Sequence, residues 1–180
     1  MILYHGTTKR ALKKILKEGL KPRGDNKSNW DSGIGKSRKN LVYLTSCYAC
    51  YYASMACKKS GDIPIILKIE LDPKNIILYP DEEFIFNLKE KNGISREKAI
   101  KIYESIDPIK ESKRIRWDIS LEFMGTVSAK KIPIENIISY AEGNGMEFLM
   151  NCDPSISPIN YKYCSENYIK YLESLNYINL

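Results

Sequence analysis

IPIILKIEL, at residues 63–71, is a nine-residue run in which only Pro64, Lys68 and Glu70 interrupt the aliphatic side chains. A run of this length and composition is typical of a buried β-strand. Asp72-Pro73 ends it with a turn signal, and a second short strand is predicted over residues 76–78. We therefore expect the core to be organised around a β-sheet.

Short strands and helices alternate on the N-terminal side of this run. Thr7 or Thr8 is expected to cap a helix that ends at Gly19, and Gly61 is expected to end a helix over residues 47–59. Strands are predicted at residues 2–4 and 41–45. Residues 21–40 are polar and contain glycines, which predicts a long loop of the kind that forms a binding lid or is disordered.

The C-terminal side begins with three acidic residues, Asp81, Glu82 and Glu83. They lead to a predicted helix over residues 95–105 and then to the basic stretch KESKRIRW at residues 110–117. Strands over residues 119–127 and 134–142 follow, then a Gly143-Asn144-Gly145 hairpin turn into residues 146–150, and a helix from about residue 165. These elements predict an α+β fold built on an antiparallel sheet.

One domain is expected over residues 1–180, because a chain of this length buries roughly 70% of its unfolded surface in a single core. We expect an insertion at about residues 81–116 and a C-terminal helical tail from about residue 151. No run approaches the ~20 apolar residues of a membrane span, and the N-terminus lacks the pattern of a signal peptide, so we expect a cytoplasmic protein with no membrane partner. Five cysteines, an odd number, favour reduced thiols over a disulfide framework.

Positive charge is concentrated at the N-terminal end of the chain. Residues 1–40 hold eleven Lys or Arg against three Asp or Glu, a balance of +8, whereas the whole chain carries +6. Such a segment would attract a polyanion or a pyrophosphate-bearing cofactor. The alternative is that its lysines solvate the outer face of a helix.

Three motifs follow one another in the order histidine, tyrosine, glutamate. They are LYHGTT at residues 3–8 with His5, NLVYLT at residues 40–45 with Tyr43, and ISLEF at residues 119–123 with Glu122. Each lies at the edge of an apolar run that predicts a strand. In this order, and with GTVSAKKIPIENI after the third, they resemble the His-Tyr-Glu signature of the ADP-ribosyltransferases of the diphtheria-toxin and poly(ADP-ribose) polymerase kind. The resemblance covers about residues 2–79 and 117–140.

This resemblance implies a split antiparallel β-sheet core flanked by helices, with NAD⁺ as co-substrate and no metal. It assigns the catalytic carboxylate to Glu122, which would bind the 2′-hydroxyl of the nicotinamide ribose. Positive charge builds on that ribose as its bond to nicotinamide lengthens, so a nearby carboxylate stabilises the transition state more than the ground state. The alternative for Glu122 is an ordinary outward-facing residue on an alternating strand.

Five further residues are candidates for NAD⁺ binding. Tyr43 and Tyr52 would stack against the flat nicotinamide cation, with core packing as the alternative. The resemblance implies that His5 hydrogen-bonds the adenosine ribose, while Gly6, which has no Cβ, lets the backbone approach the nicotinamide amide. Thr7 matches the hydroxyl residue of the family motif, with a helix cap as its alternative.

Recognition of the acceptor is expected just upstream of Glu122. Arg114, Arg116 and Trp117 lie where such enzymes often place acceptor-recognition loops, and the alternative is a solvated run of charges. Ser120 stands where arginine-modifying members tend to carry a second glutamate, which argues against arginine as the acceptor.

The sequence thus predicts an NAD⁺-dependent mono-ADP-ribosyltransferase that moves ADP-ribose onto a macromolecule and releases nicotinamide. We expect a protein acceptor, and a toxin or a phage or viral effector as the class of protein. The alternatives are ADP-ribosylation of DNA or RNA through the basic segments, and a pseudoenzyme that binds a partner through residues 81–116. Cys47-x-x-Cys50 lacks a second ligand pair at a suitable spacing, so neither a zinc site nor a redox role is expected.

Overall fold

The strands form one antiparallel sheet. The structure is a computed structural model, and it describes residues 1–25, 37–57, 61–89, 93–143, 166 and 168–180. Within these residues the strands are β1 (Ile2–Thr8), β2 (Val42–Thr45), β3 (Pro64–Glu70), β4 (Leu78–Pro80), β5 (Thr126–Ala129), β6 (Ile137–Glu142) and β7 (Ile178–Asn179). Their order across the sheet is β4-β5-β2-β1-β3-β6-β7. The run that was predicted as a buried strand lies next to β1 in the interior of this sheet.

Helices cover the sheet and account for most of the segment between β4 and β5. They are α1 (Lys9–Glu18), α2 (Ala49–Cys57), α3 (Glu82–Lys89), α4 (Arg96–Ser105), α5 (Pro108–Glu111) and α6 (Trp117–Met124), with a 3₁₀ helix at Ile134–Asn136 and helical residues at 168–174. The predicted α+β class is therefore confirmed. The insertion predicted at about residues 81–116 consists of α3, α4 and α5, which enclose a small apolar cluster around Ile85 and Phe86.

Both faces of the sheet are buried near β3. Ile65, Leu67 and Ile69 belong to the main core, which α1 completes with Leu12 and Ile15. Ile66 points to the other face, where it packs with α2 and with the helical residues at 168–174. Burial on both faces explains why this strand has an almost continuous apolar sequence rather than an alternating one.

The sheet is uneven around β1. On one edge β1 pairs with β3 along its whole length, from Ile2 opposite Glu70 to Thr8 opposite Pro64. On the other edge it pairs with β2 only where Tyr4 lies opposite Thr45. Beyond Tyr4 the two strands diverge, and residues 5–8 lose their strand partner on that side.

The predicted helix ends agree with the structure in several places. Thr8, one of the two candidates, caps α1 by accepting a hydrogen bond from the Ala11 N–H, and Gly19 ends this helix with a φ of 73°. Ser95 caps α4. These ends were predictable because capping depends on residues adjacent in sequence.

The strand predicted over residues 119–127 is wrong. Residues of α6 form a helix up to Met124, Gly125 ends it in the left-handed conformation with a φ of 65°, and only then does β5 begin. Trp117 and Leu121, four residues apart, pack against the main core, whereas Phe123 is exposed. This spacing of buried residues is helical, but the short apolar run also fitted a strand.

Smaller shifts affect other predicted elements. The strand predicted at residues 76–78 lies at β4, residues 134–136 form a 3₁₀ helix before β6, and the tail ends in β7 beside β6. The turn and strand predicted at residues 144–150, together with Trp30, Cys152 and Cys164, lie outside the described residues. Cys47, Cys50 and Cys57 are buried and form no disulfide.

Substitution of Gly6 by alanine should destabilise the fold. A Cβ at this position would lie 2.1 Å from the Ala49 carbonyl oxygen and 2.4 Å from the Ala53 nitrogen, and both are backbone atoms of α2. We expect a loss of about 2–4 kcal/mol in the free energy of unfolding, measured with urea. Gly143→Ala is the matched control, since its nearest neighbour is the end of the Ile66 side chain. Equal effects of the two substitutions would contradict this explanation.

Candidate functional site

His5 lies on β1 at the point where β1 and β2 diverge. Its Nδ1 is 2.8 Å from the Tyr43 carbonyl oxygen, so the ring bridges two strands that no longer pair through their backbones. A carbonyl can only accept, which requires the proton on Nδ1. Burial lowers the pKa of His5, against the smaller opposing effect of the Tyr43 hydrogen bond. The ring is therefore neutral near pH 7, and Nε2 is left as an acceptor.

The Tyr43 hydroxyl is enclosed by two polar groups. It accepts a hydrogen bond from the Arg38 backbone N–H at 2.7 Å and donates one to Glu82 Oε1 at 2.5 Å. Burial, followed by the charges of Glu82 and Asp81, raises the pKa of Tyr43 well above its ordinary value. Tyr43 is thus a neutral phenol whose position is fixed at both ends, by its carbonyl and by its hydroxyl.

An acidic pair, Asp81 and Glu82, lies between β4 and α3. Their exposed fractions are only 8% and 1%. Burial, with the neighbouring Asp81 charge, raises the pKa of Glu82 to about 8, and burial also raises the pKa of Asp81. Glu82 therefore holds a proton at neutral pH. Sequence reasoning treated these residues only as the acidic start of an insertion, although acids directly after a strand were the available signal.

Tyr52 of α2 lies near Asp81 and Glu83. Burial and then the Asp81 charge raise the pKa of Tyr52 well above its ordinary value. Its ring also packs edge-on against Tyr48, with centroids 6.4 Å apart. Tyr52 is thus a buried neutral phenol that belongs both to the packing of α2 and to the surroundings of Asp81.

Glu122 is not on a strand, and the structure does not bring it to His5 and Tyr43. It is exposed on α6. Within the described part of the chain its side chain makes no hydrogen bond or ion pair with either residue. The helix instead directs Ser120 inward, because α6 packs on β4 and β5 with Ser120 at their junction.

Ser120 connects three elements through its buried hydroxyl. Its Oγ accepts the Asp81 backbone N–H at 2.9 Å and donates to the Thr126 carbonyl, also at 2.9 Å. The side chain is 0% exposed, so a glutamate would not fit in its place. The position that argued against an arginine acceptor is therefore used here to hold the acidic pair against β5.

Gly6 and Thr7 have structural explanations in this fold. The missing Cβ of Gly6 leaves room for the backbone of α2, a purpose different from the close approach of nicotinamide that was predicted. Thr7 is buried on β1, opposite Ile65, and the cap of α1 is Thr8, so the capping alternative for Thr7 is wrong.

The three residues predicted to recognise an acceptor differ in their environment. Arg114 is exposed. Arg116 is exposed but forms an ion pair with Asp118, two residues away. Trp117 is half-buried against the main core, so much of its ring is used in packing. Of the three, Arg114 is the side chain best placed for a partner.

A basic cavity of about 300 Å³ lies beside the Tyr43 hydroxyl. Its lining residues are Arg23, Ser37, Arg38, Lys39, Tyr103 and Glu104. The Arg38 guanidinium lies 5.5 Å from the centre of the Tyr103 ring and donates to the carbonyls of Tyr103 and Glu104. A second cavity, of about 370 Å³, lies far along the sheet near Glu142 and Tyr171 and contains none of the candidate residues.

The described residues contain neither a membrane-spanning helix nor a cluster of metal-binding side chains. None of their helices is long and apolar enough to cross a membrane. They also contain no cluster of three His, Cys, Asp or Glu side chains suited to hold a metal ion.

Comparison with known proteins adds little to these contacts. No family model and no curated protein matches the chain. The solved structure EcPltA is similar to it with a TM-score of 0.45 and 16% identity, over 82% of this chain and 78% of that one. A similarity this weak carries no argument about activity.

Replacement of Ser120 by alanine should destabilise the protein. It leaves a buried N–H and a buried carbonyl without their partner, at an expected cost of about 1–3 kcal/mol in the free energy of unfolding. Ser105→Ala is the control, because Ser105 makes a similar bond to the Ile102 carbonyl on the exposed surface of α4. Urea unfolding of both variants measures the difference, and equal losses would show that the Ser120 contacts have no special role.

The raised pKa of Glu82 predicts that stability falls as pH rises. The folded protein keeps this proton up to about pH 8, whereas a glutamate in the unfolded chain releases it near 4.5. The stabilisation is complete below about pH 4.5 and is lost progressively up to about pH 8. Glu82→Gln keeps an acceptor for Tyr43 without a titrating proton, so it should flatten this decline in unfolding measurements. An unchanged decline would contradict the assignment to Glu82.

Proposed function

We propose that this protein is an NAD⁺-dependent mono-ADP-ribosyltransferase with the split-sheet fold of that superfamily. The observation that carries the proposal is a contact between two of the three motifs: the His5 Nδ1 and the Tyr43 backbone carbonyl oxygen lie 2.8 Å apart where β1 and β2 diverge. Residues brought together from different motifs at an opening of a sheet are a typical basis for a ligand site.

The local chemistry suits the two halves of NAD⁺. A neutral His5 with Nε2 as acceptor can take a hydrogen bond from a ribose hydroxyl. The rings of Tyr43 and Tyr52 are neutral aromatic faces, which suit a flat cation such as nicotinamide. The proposal assigns the adenosine ribose to His5 and the nicotinamide to the tyrosines.

The proposal assigns the catalytic carboxylate to Glu122. The reaction requires an ionised group near the nicotinamide ribose, and Glu82 is protonated at neutral pH, so it supplies no charge there. Glu122 is retained for this role because of its motif. The assignment requires the exposed Glu122 side chain to reach the ribose when NAD⁺ is bound.

A nucleic-acid acceptor is the second candidate, and the basic cavity favours it. Three of the six residues that line it are cations, Arg23, Arg38 and Lys39, against one acidic residue, Glu104. A phosphate backbone would be attracted there, and the binding would weaken with rising salt. A protein acceptor remains the first proposal. After reaction with labelled NAD⁺, the molecule that carries the label, whether DNA, RNA or protein, distinguishes the two candidates.

Glu122→Gln should reduce transfer by on the order of 10²-fold or more if Glu122 is the electrostatic stabiliser. The assay is incubation with labelled NAD⁺ and a cell lysate, with both the transferred label and the released nicotinamide measured. Glu135→Gln is the matched control, since Glu135 is another exposed glutamate on a short helical element.

Three outcomes would count against the proposal in different ways. Equal activity of the two variants would remove Glu122 from the mechanism. No label and no nicotinamide from the unmodified protein would remove the activity. Calorimetry with NAD⁺ then decides whether the protein is a binding module. If it binds NAD⁺ and His5→Ala abolishes the binding, the protein is a pseudoenzyme. If it does not bind NAD⁺, both the enzyme and the NAD⁺-binding pseudoenzyme are excluded.

A further inference from the structure

The Tyr43 hydroxyl is held by a group that belongs to none of the three motifs. Glu82 comes from the first turn of α3, and its Oε1 accepts the Tyr43 proton. Its second oxygen, Oε2, is buried and has no hydrogen-bond partner among the residues that the structure describes. Buried polar atoms are nearly always paired, so an unpaired carboxyl oxygen at a candidate site calls for an explanation.

A complementary unpaired group lies on the other side of the same phenol. Arg38 donates its backbone N–H to Tyr43, and its Nε–H is buried without an acceptor. Glu82 and Arg38 are close enough for the Arg38 charge to act on the Glu82 carboxyl. Among the described residues, one N–H of Arg38 and one oxygen of Glu82 therefore remain unpaired, and that oxygen becomes an acceptor when the carboxyl loses its proton.

We propose that Glu82 is a positioning residue that sets the orientation of the Tyr43 ring and, through Arg38, links it to the loop that precedes β2. This inference rests on the proposed function in one respect, that Tyr43 contacts the nicotinamide of NAD⁺. With a proton on the carboxyl, Glu82 serves Tyr43 alone. Once the proton is lost, the carboxylate attracts the Arg38 guanidinium, and the three groups share one network.

Arg38 extends this link to the end of α4. Its guanidinium also donates to the carbonyls of Tyr103 and Glu104 at the end of α4, across the basic cavity. A change in its attraction to Glu82 therefore acts on the loop stem at residues 37–40, on the end of α4 and on the ring of Tyr43 together. The state of one buried carboxyl would thus control the shape of the opening beside β2.

Other titratable groups surround Glu82 and must be separated from it. Asp81 precedes it, Tyr43 faces it from β2, Arg38 from the loop stem and Tyr103 from α4. Tyr43 and Tyr103 both have a pKa raised by burial, so neither titrates between pH 6 and 9. Burial also raises the pKa of Asp81, and a substitution at position 82 distinguishes the two carboxyls.

The test compares Glu82→Gln, Glu82→Leu and the control Glu97→Gln in the full chain. Glutamine copies the protonated carboxyl, leucine removes both polar atoms, and Glu97 is an exposed carboxylate on α4 paired only with Lys101. Two measurements are made on each protein as pH rises: the NMR signals of the Tyr43 ring, and the NAD⁺ dissociation constant by calorimetry. Thermal unfolding confirms that each variant is folded.

The proposal expects a single transition of the Tyr43 signals with a midpoint at about pH 8 in the unmodified protein and in Glu97→Gln. Glu82→Gln should lack the transition and keep the low-pH signals, and Glu82→Leu should shift the ring signals at every pH. NAD⁺ affinity should follow the same transition. In folded Glu82→Leu it should be weaker by ~10-fold, the loss that a misplaced contact of ~1.4 kcal/mol produces.

Two failures are distinguishable. A Tyr43 transition that persists in Glu82→Gln, or ring signals that are the same in Glu82→Leu and in the unmodified protein, would overturn the positioning role. Absence of NAD⁺ binding in the unmodified protein would overturn the proposed function, whereas the NMR result would still decide the role of Glu82.

Discussion

The rest of the structure depends on how β1 pairs with its two neighbouring strands. It pairs with β3 along its whole length but with β2 at one position only. The full ladder with β3 fixes β1 in the centre of the sheet and orients its side chains to both faces. Because β2 leaves this strand after Tyr4, the edge beyond it is not closed by backbone hydrogen bonds. His5 spans that opening, and α2 packs on Gly6 from one side. The candidate site is thus a gap in a sheet that is otherwise rigid.

A buried acidic pair is the main cost of this arrangement, and several contacts offset it. The Ser120 hydroxyl accepts the Asp81 backbone N–H, and the Asp81 carboxylate accepts the Glu83 N–H. The Glu82 carboxyl accepts a hydrogen bond from the Tyr43 hydroxyl. Even so, one oxygen of Glu82 stays unpaired. Polar groups retained in the interior at such a cost are more common at functional sites than elsewhere, which fits their position behind Tyr43.

Sequence patterns predicted local features well and one motif incorrectly. The helix cap at Thr8 and the buried strand at residues 64–70 depend on neighbouring residues and on a continuous apolar run, and both signals are local. The prediction of a strand before β5 was wrong because a short apolar run fits either a strand or a helix. Only contact with β4 and β5 selects the helix that buries Ser120 and exposes Glu122. The predicted role of Glu122 remains untested, although its predicted position on a strand was wrong.

The amino-acid order alone predicted the α+β class and the strand through residues 63–71, and it singled out His5, Tyr43 and Glu122 as one candidate site. These follow from periodicity, capping chemistry and motif order, which are properties of adjacent residues. Folding in three dimensions was needed to bring Glu82 and Arg38 to the Tyr43 hydroxyl, from positions 39 residues after it and 5 residues before it. No local pattern marks such a meeting, because burial and pKa depend on which elements pack together and not on the residues next to them in the chain.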